Sequence, residues 1–386
     1  MTTSVGSSLV DQEQVRASAE APTWSVMIVF HDNVAALRAC IATLEQQNGP
    51  SFEIIVVDNR GEPALSAIRS ESKHVLLLSP GGNLGYGAGN NLAASVALGE
   101  YLLILNPDVL SRPDFLERMS EAMQAVPNMA LVTATLLLPD GRVNAQGNDV
   151  TYSGITTCRA LGDRRHRTGL FPVPAVSGAA FAIRRRDFQV LGGFDEQFFM
   201  YLEDTDLSLR AVLQGGSCWC FGDAVAIHDY RWRFSPGKQR ELEKNRLQLL
   251  LKTFRRSTLL ALSPGLLLVE LCTMAYALLR GPAFLWAKVG VYGQLAQGRR
   301  GLRQRRSRVQ AERLVDDSVL LGRCTWRIPF RQQLGVVPGT TLEWLLAPFF
   351  AAPYAAARAH AALVAFEPKQ TVVAPQLPPQ QTQVCS

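Results

Sequence analysis

The stretch 102-LLILNPDVLSRPDF-115 runs four apolar residues straight into Asn106-Pro107-Asp108. A strand this apolar reads as covered on both faces, the habit of a parallel sheet packed between helices. Upstream, WSVMIVF (24–30), FEIIVVD (52–58) and HVLLLS (74–79) are runs of the same kind. Between them lie segments with helical spacing: Asn33 to Gln47, with Leu37, Cys40, Ile41 and Leu44 on one face, then Glu62 to Arg69, and Gly87 to Leu98. Alternation of strand and helix predicts a parallel α/β sheet. Ligands of such sheets bind outside the carboxyl ends of the strands. Asp58, the loop SPGGNLGYGAGNN and Asn106-Pro107-Asp108 are therefore expected to face one crevice.

Composition agrees with a folded enzyme-sized chain. Its 386 residues, 47% hydrophobic and 19% charged, bury a sizeable core and suggest roughly two domains, or one domain with an appendage. Residues 1–22 are polar and include Asp11, Glu13 and Glu20, with neither the basic nor the apolar region of a secretory signal. They read as a loose tail, as does the Pro/Gln-rich end, 367–386. Seven scattered cysteines form no disulfide framework and fit a reducing compartment. Cys218 and Cys220 read as two same-face strand residues rather than as a metal pair.

The glycines of GYGAGNN (Gly85, Gly87, Gly89) invite a dinucleotide reading, but that fingerprint follows the first strand and precedes its acid by about 20 residues. Here the order is reversed, because Asp58 closes the second strand and the glycines follow the third. Two readings remain: the glycines merely turn the chain into a helix, or they bring backbone N–H groups to a nucleotide whose base or ribose meets Asp58. Asn106-x-Asp108 suits Mg²⁺ or Mn²⁺, which prefer oxygen ligands and are held by one or two carboxylates plus substrate phosphates. A capping role for Asp108 competes, yet it lies upstream of the helix expected near Pro113.

Residues 176–216 hold a second dense cluster. AAFAI reads as a strand ending on three arginines, Gly192-Gly193 as a turn, and DTDLSLRAVLQGG as a helix closed by Gly215-Gly216. Glu203 and Asp204 then sit at a helix N-terminus, where the dipole favours acids. Asp195, Glu203, Asp204 and Asp206 beside Phe198, Phe199 and Tyr201 exceed what capping requires. Paired carboxylates against apolar rings are how a site obtains a general base of suitable pKa. His228 ends a further apolar strand and is either a metal ligand or a satisfied core imidazole.

SVMIVFHDN, IIVVDN, NLGYGAGNN, LLILNPDV, VSGAAFAIRR, LGGFDEQFFMYLEDTDLSLR and AIHDY stand in the order and spacing of family 2 inverting glycosyltransferases. Over about residues 24–235 the chain most resembles the rhamnosyltransferase-like branch that builds bacterial surface polysaccharides. The resemblance implies a GT-A fold over residues 23–250 and a nucleotide-sugar donor. It further implies that Asp58 contacts the base, that Asn83, Gly85 and Asn90 lie along the nucleotide, and that Asn106 and Asp108 occupy the DXD position with Asp108 on the metal. By the same resemblance Ser177, Gly178, Gly193, Phe194, Asp195 and Glu196 would line the sugar or acceptor pocket, Asp204 with Glu203 beside it would act as base, and His228 would complete the metal shell. Asn106 departs from the first Asp of a DXD, leaving one fewer negative charge on the ion, and Arg60 stands where a small hydroxyl residue is common. The implied chemistry is a single in-line displacement: an acceptor hydroxyl deprotonated by Asp204 attacks the anomeric carbon opposite the nucleotide and inverts it. Donors of galactofuranose, N-acetylated hexose or mannose compete with rhamnose, and a non-catalytic scaffold with a degenerate transferase domain is the reading from a different class.

The second half suggests where this happens. LLALSPGLLLVELCTMAYALL (259–279) is long enough to span a bilayer, but Pro264-Gly265 is expected to break it. Glu270 near its middle costs roughly 3 kcal/mol on insertion scales. A pair of interfacial helices or a shallow re-entrant hairpin is the expectation. Residues 280–313 carry nine Lys or Arg against Glu312 alone, which reads as attraction to anionic headgroups rather than to nucleic acid. A further amphipathic stretch, 341–366, offers Trp344 and Tyr354 to an interface. Residues 251–366 are thus expected to be a helical, membrane-associating extension at the cytoplasmic face of the cell (inner) membrane, and the acceptor a glycan or polyprenyl-linked glycan.

Overall fold

A computed structural model describes residues 21–363 except 64, 66, 67, 69–71, 73, 129, 230–233, 329 and 331–335. The tail expectations and part of the Glu62–Arg69 helix lie outside the described residues. The apolar runs form β1 (Trp24–Phe30), β2 (Phe52–Asp58), β3 (Val75–Leu78) and β4 (Tyr101–Leu105). Each is parallel to its neighbour, with β1 central between β2 and β4 and β3 outside β2. Beyond β4 the direction changes. β11 (Ala180–Arg184) pairs antiparallel with β4 and with β6 (Ala130–Leu137), and β12 (Ser217–His228) then runs parallel to β6. The sheet is therefore mixed, with its parallel half at the N-terminal end of the chain.

Strand side chains alternate between faces, which explains why the runs are apolar without a break. Val26, Ile28 and Phe30 pack with Leu37, Cys40, Ile41 and Leu44 of α1 (Val34–Glu45) and with Phe115, Met119 and Met123 of α3 (Phe115–Ala125). Met27 and Val29 point the other way, toward Ala93 of α2 (Tyr86–Val96) and Leu207 of α5 (Glu203–Leu213). A short α4 (Arg185–Val190) follows β11 directly, and Gly192 and Gly193 make the expected turn at φ 75° and 68°.

The C-terminal helices share this second core. They are α6 (Pro236–Thr253), α7 (Arg256–Leu279), α8 (Pro282–Gln297), α9 (Arg299–Glu312), α10 (Asp317–Arg323) and α11 (Val336–Leu363). Phe254, Leu262, Val269, Leu320, Phe350 and Tyr354 are buried in one cluster with Met27 and Leu207. The break expected at Pro264-Gly265 is absent. Arg256–Leu279 is one continuous helix, and Gly265 lets it seat directly on Tyr152 and Pro353. Glu270 also has partners: Arg246 lies 2.6 Å away and Lys288 2.5 Å, and both cations also reach Glu243. By length and composition α7 is the one helix among the described residues able to cross a membrane.

Candidate active site

The residues expected to share a crevice lie at and beyond the ends of β1, β2, β4 and β12. At β2, both carboxylate oxygens of Asp58 accept from the turn that follows: Arg60 and Gly61 N–H on Oδ1 at 3.0 and 2.9 Å, Glu62 N–H on Oδ2 at 2.8 Å. This sets the shape of the loop that a base would meet. Next to it Asn59 donates to Gly85 O at 3.0 Å and so ties that loop to the glycine segment. Asn83 accepts from Gly85 N–H at 2.9 Å and reaches His31 at 3.4 Å.

The glycines act by close approach. Gly85, at φ 85°, lies where a Cβ would collide with Phe199, and Tyr86 N–H donates to Phe199 O at 2.8 Å. A Cβ on Gly89 would sit 2.9 Å from Val29, so this glycine presses α2 onto β1. Asn90 is buried and donates to Tyr86 O within its own helix, whereas its neighbour Asn91 reaches across to Phe194 and Glu196. Gly193 packs against Asn91, and the ring of Phe194 is buried against Tyr86, Phe181 and Phe188. Asp195 turns away, to Lys252 at 2.5 Å and Arg305 at 3.1 Å.

One short segment joins the metal-type turn to the acidic pair. Asn106 N–H donates to Ala179 O at 2.9 Å, Gly178 N–H donates to Asp204 Oδ2 at 2.7 Å, and Tyr86 Oη donates to Gly178 O at 2.8 Å. Ser177, one residue earlier, donates its N–H to Thr133 Oγ1 at 3.3 Å. Electrostatics report the same convergence. The Tyr86 phenol is pushed well above its usual range, first by burial, then by Glu203 and Asp204, with Asp108 adding to them.

On the metal side, Asp108 Oδ1 lies 3.3 Å from His228 Nε2. His228 Nδ1 is 2.9 Å from Asn144 Oδ1, an atom that can only accept, and this contact orients the ring with Nε2 toward Asp108. One carboxylate oxygen and one imidazole nitrogen are donors of the kind a divalent cation takes together with phosphate and water, and no cluster of three or more such side chains occurs among the described residues. Asp108 caps no helix: α3 begins at Phe115 with Asp114 before it.

On the base side, Glu203 and Asp204 open α5 after two non-glycine residues in left-handed conformation, Tyr201 (φ 74°) and Leu202 (φ 64°). Asp204 is fully engaged, accepting from Gly178 N–H, Asn148 Nδ2 (3.1 Å), Thr205 N–H (2.6 Å) and Thr205 Oγ1 (3.2 Å). Burial raises its pKa. Glu203 is pushed further, to about 8, by burial and then by the charge of Asp204. Its Oε2 is buried and accepts no hydrogen bond among the described residues. Asp206, two residues on, is held 2.5 Å from Lys252 and 2.8 Å from Arg210.

Asn59, Asn91, Asn144, Asn148 and Lys252 thus serve the site without having been singled out in the sequence. Of these, Asn59, as the last residue of IIVVDN, and Asn91, as the second half of the Asn-Asn pair in GYGAGNN, carried a signal.

The model of glycosyl transferase family 2 matches residues 25–192. O-antigen biosynthesis protein RfbC of Myxococcus xanthus is 30% identical over 223 residues, 54% of this chain but only 17% of that protein. N-acetylglucosaminyl-diphospho-decaprenol L-rhamnosyltransferase of Mycobacterium tuberculosis is 27% identical over 232 residues, 53% of this chain and 75% of that protein. Among solved structures, GalNAc-T7 with UDP, GalNAc and Mn²⁺ superposes with TM-score 0.51 at 18% identity, covering 60% of this chain and 49% of that one. Its likeness establishes the GT-A architecture of the domain. Residues 25–192 are therefore similar to glycosyl transferase family 2, and the chain resembles proteins named for its rhamnosyltransferase-like branch.

Proposed function

We propose that the protein is an inverting glycosyltransferase that moves rhamnose from dTDP-rhamnose to a hydroxyl of a lipid-linked glycan, at the cytoplasmic face of the cell membrane, during surface polysaccharide synthesis. The carrying observation is the short Gly178–Ala179 link that puts the Asp108–His228 pair and the Glu203–Asp204 pair on one crevice. Donor diphosphate and acceptor hydroxyl then meet between them.

Each residue has a defined task in this reading. Asp108 and His228 hold Mg²⁺ or Mn²⁺, which when bound offsets the charge of the departing diphosphate. Asn83, Gly85 and Asn106, with the Asp58 loop, cradle the nucleotide, and Ser177, Gly178, Gly193 and Glu196 border the sugar and acceptor. Four donors oppose the upward push of burial on Asp204, while burial and the charge of Asp204 raise Glu203 to about 8. In this reading Asp204 withdraws the acceptor proton as the hydroxyl attacks. Exposed apolar side chains on the C-terminal helices, among them Leu267, Leu279, Trp286 and Trp344, suit a membrane surface.

Isothermal calorimetry against thymidine, uridine and guanosine diphosphates and their sugars, with and without Mn²⁺ or Mg²⁺, tests this reading. Metal-dependent binding of thymidine nucleotides, reduced at least a hundredfold in Asp108→Ala, is expected. Binding of uridine or guanosine nucleotides in their place would transfer the proposal to another donor, and silence toward all of them would remove the transferase activity.

A further inference from the structure

A cavity of about 390 Å³ lies between the transferase domain and the C-terminal helices, within the range of small-molecule sites. Its wall is mostly apolar: Val269, Cys272, Ala275, Tyr276 and Leu279 of α7 face Ile155, Phe330 and Leu342. Two features tie it to the chemistry. Leu202, which lines it, is bonded directly to Glu203, and Thr156, also on the wall, accepts a hydrogen bond from Thr205 in the first turn of α5. At its outer end Leu279 is 84% exposed, continuous with the apolar side chains of α7 that face outward. Cations stand beside this mouth. Arg280 lies over the ring of Phe234, a lining residue, and Lys238 over Tyr201, next to Leu202.

We propose that this cavity takes the phosphate-proximal end of the acceptor's lipid chain. The inference rests on the transferase reading and specifies its acceptor: an apolar chain linked through phosphate to the sugar that is extended. With the chain in the cavity and the phosphate near Lys238 and Arg280, the sugar is left at Glu203 and Asp204. Apolar wall, cationic rim and acidic pair follow one another in the order that such a molecule carries apolar chain, phosphate and hydroxyl. The C-terminal helices are then part of the acceptor site, since α7 supplies one entire wall.

The test uses farnesyl diphosphate as probe on the full-length chain. Ala275→Phe places a ring in the cavity and is expected to weaken probe binding at least tenfold, with metal-dependent nucleotide binding unchanged. In the unaltered protein the probe should protect Cys272, a half-buried free thiol on the wall, from alkylation as read by peptide mass spectrometry. This second measurement holds even where the variant fails to fold. Probe binding without protection of Cys272, or no probe binding by protein that binds nucleotide, would overturn the lipid site while leaving the transferase reading intact. Protection of Cys272 in protein that binds no nucleotide would overturn the acceptor role.

Discussion

The state of Glu203 depends strongly on its surroundings. Burial and the adjacent Asp204 raise its carboxyl from an ordinary 4.5 to about 8. Below pH 4.5 both folded and unfolded chains hold this proton. Between there and about 8 the folded chain keeps a proton that the unfolded chain has released, so stability drains as pH rises across that window. A tenfold difference in proton affinity between the two states is worth about 1.4 kcal/mol, so a third of this rise already moves a melting temperature by a degree or more. Glu203→Gln, permanently neutral, should therefore melt progressively above the unaltered protein as pH rises from 5 to 8. Parallel melting curves over this range would mean that Glu203 ionises normally in the fold. Asp204 and Asp108 stood out in the sequence because the first stands at a helix start within a dense acidic cluster and the second follows an apolar strand. The amides beside them, Asn148 on Asp204 and Asn144 on His228, did not, since a lone Asn on a short strand has no periodic signature and gains its role only from register.

At the scale of elements, the N-terminus of α5 is placed by an unusual turn. Tyr201 and Leu202 both hold positive φ, a conformation that costs non-glycine residues of order 1 kcal/mol or more each. It persists because something fixes it. Asn245 of α6, fully buried, donates to Met200 O at 3.0 Å and Tyr201 O at 2.8 Å. Nothing in the sequence around residue 245 marks it, because the contact joins positions more than forty apart. Removing a buried donor leaves two carbonyls unsatisfied, each costing about 1–3 kcal/mol. Asn245→Ala is expected to lower kcat by roughly ten- to a hundredfold, with little change in KM for the nucleotide sugar, since the acids shift while the donor loops do not. Equal falls in kcat and in thermal stability with no kinetic split would assign Asn245 to folding alone. The glycines of α2 show the opposite relation between element and sequence. Their spacing was conspicuous, and Gly85 and Gly89 seat the helix on Phe199 and Val29.

For the whole molecule, the sequence suggested a transferase domain ending near residue 250 with a membrane-associating appendage behind it. Composition supports such a division, because 251–366 is helical, basic and apolar by turns. Packing argues against its independence. Leu262, Val269, Leu320, Phe350 and Tyr354 lie in the core that also holds Met27, Leu102 and Leu207. Lys252 and Arg305 clasp Asp195, while Lys252 also holds Asp206 two residues from Asp204. Much of the basic run is likewise turned inward: Lys288 pairs with Glu243 and Glu270, Arg306 donates to Phe254 O, and Arg313 meets Asp317 at 2.5 Å. Charge counted along a sequence could not foresee this, since pairing depends on how helices cross. The magnitudes decide the outcome of truncation. Burying one Leu, Val or Phe contributes about 1.5–3 kcal/mol, and a native domain is stable by only about 5–15 kcal/mol in total. Five such residues lost together amount to about 7.5–15 kcal/mol, as large as that whole margin. A chain ended after Thr253 should therefore be recovered insoluble or without a cooperative melting transition, measured by calorimetry beside the full-length protein. A soluble truncated domain melting within a few degrees of the full chain would show the helices to be an appendage, and would detach the wall of the proposed lipid site from the fold that holds the acids.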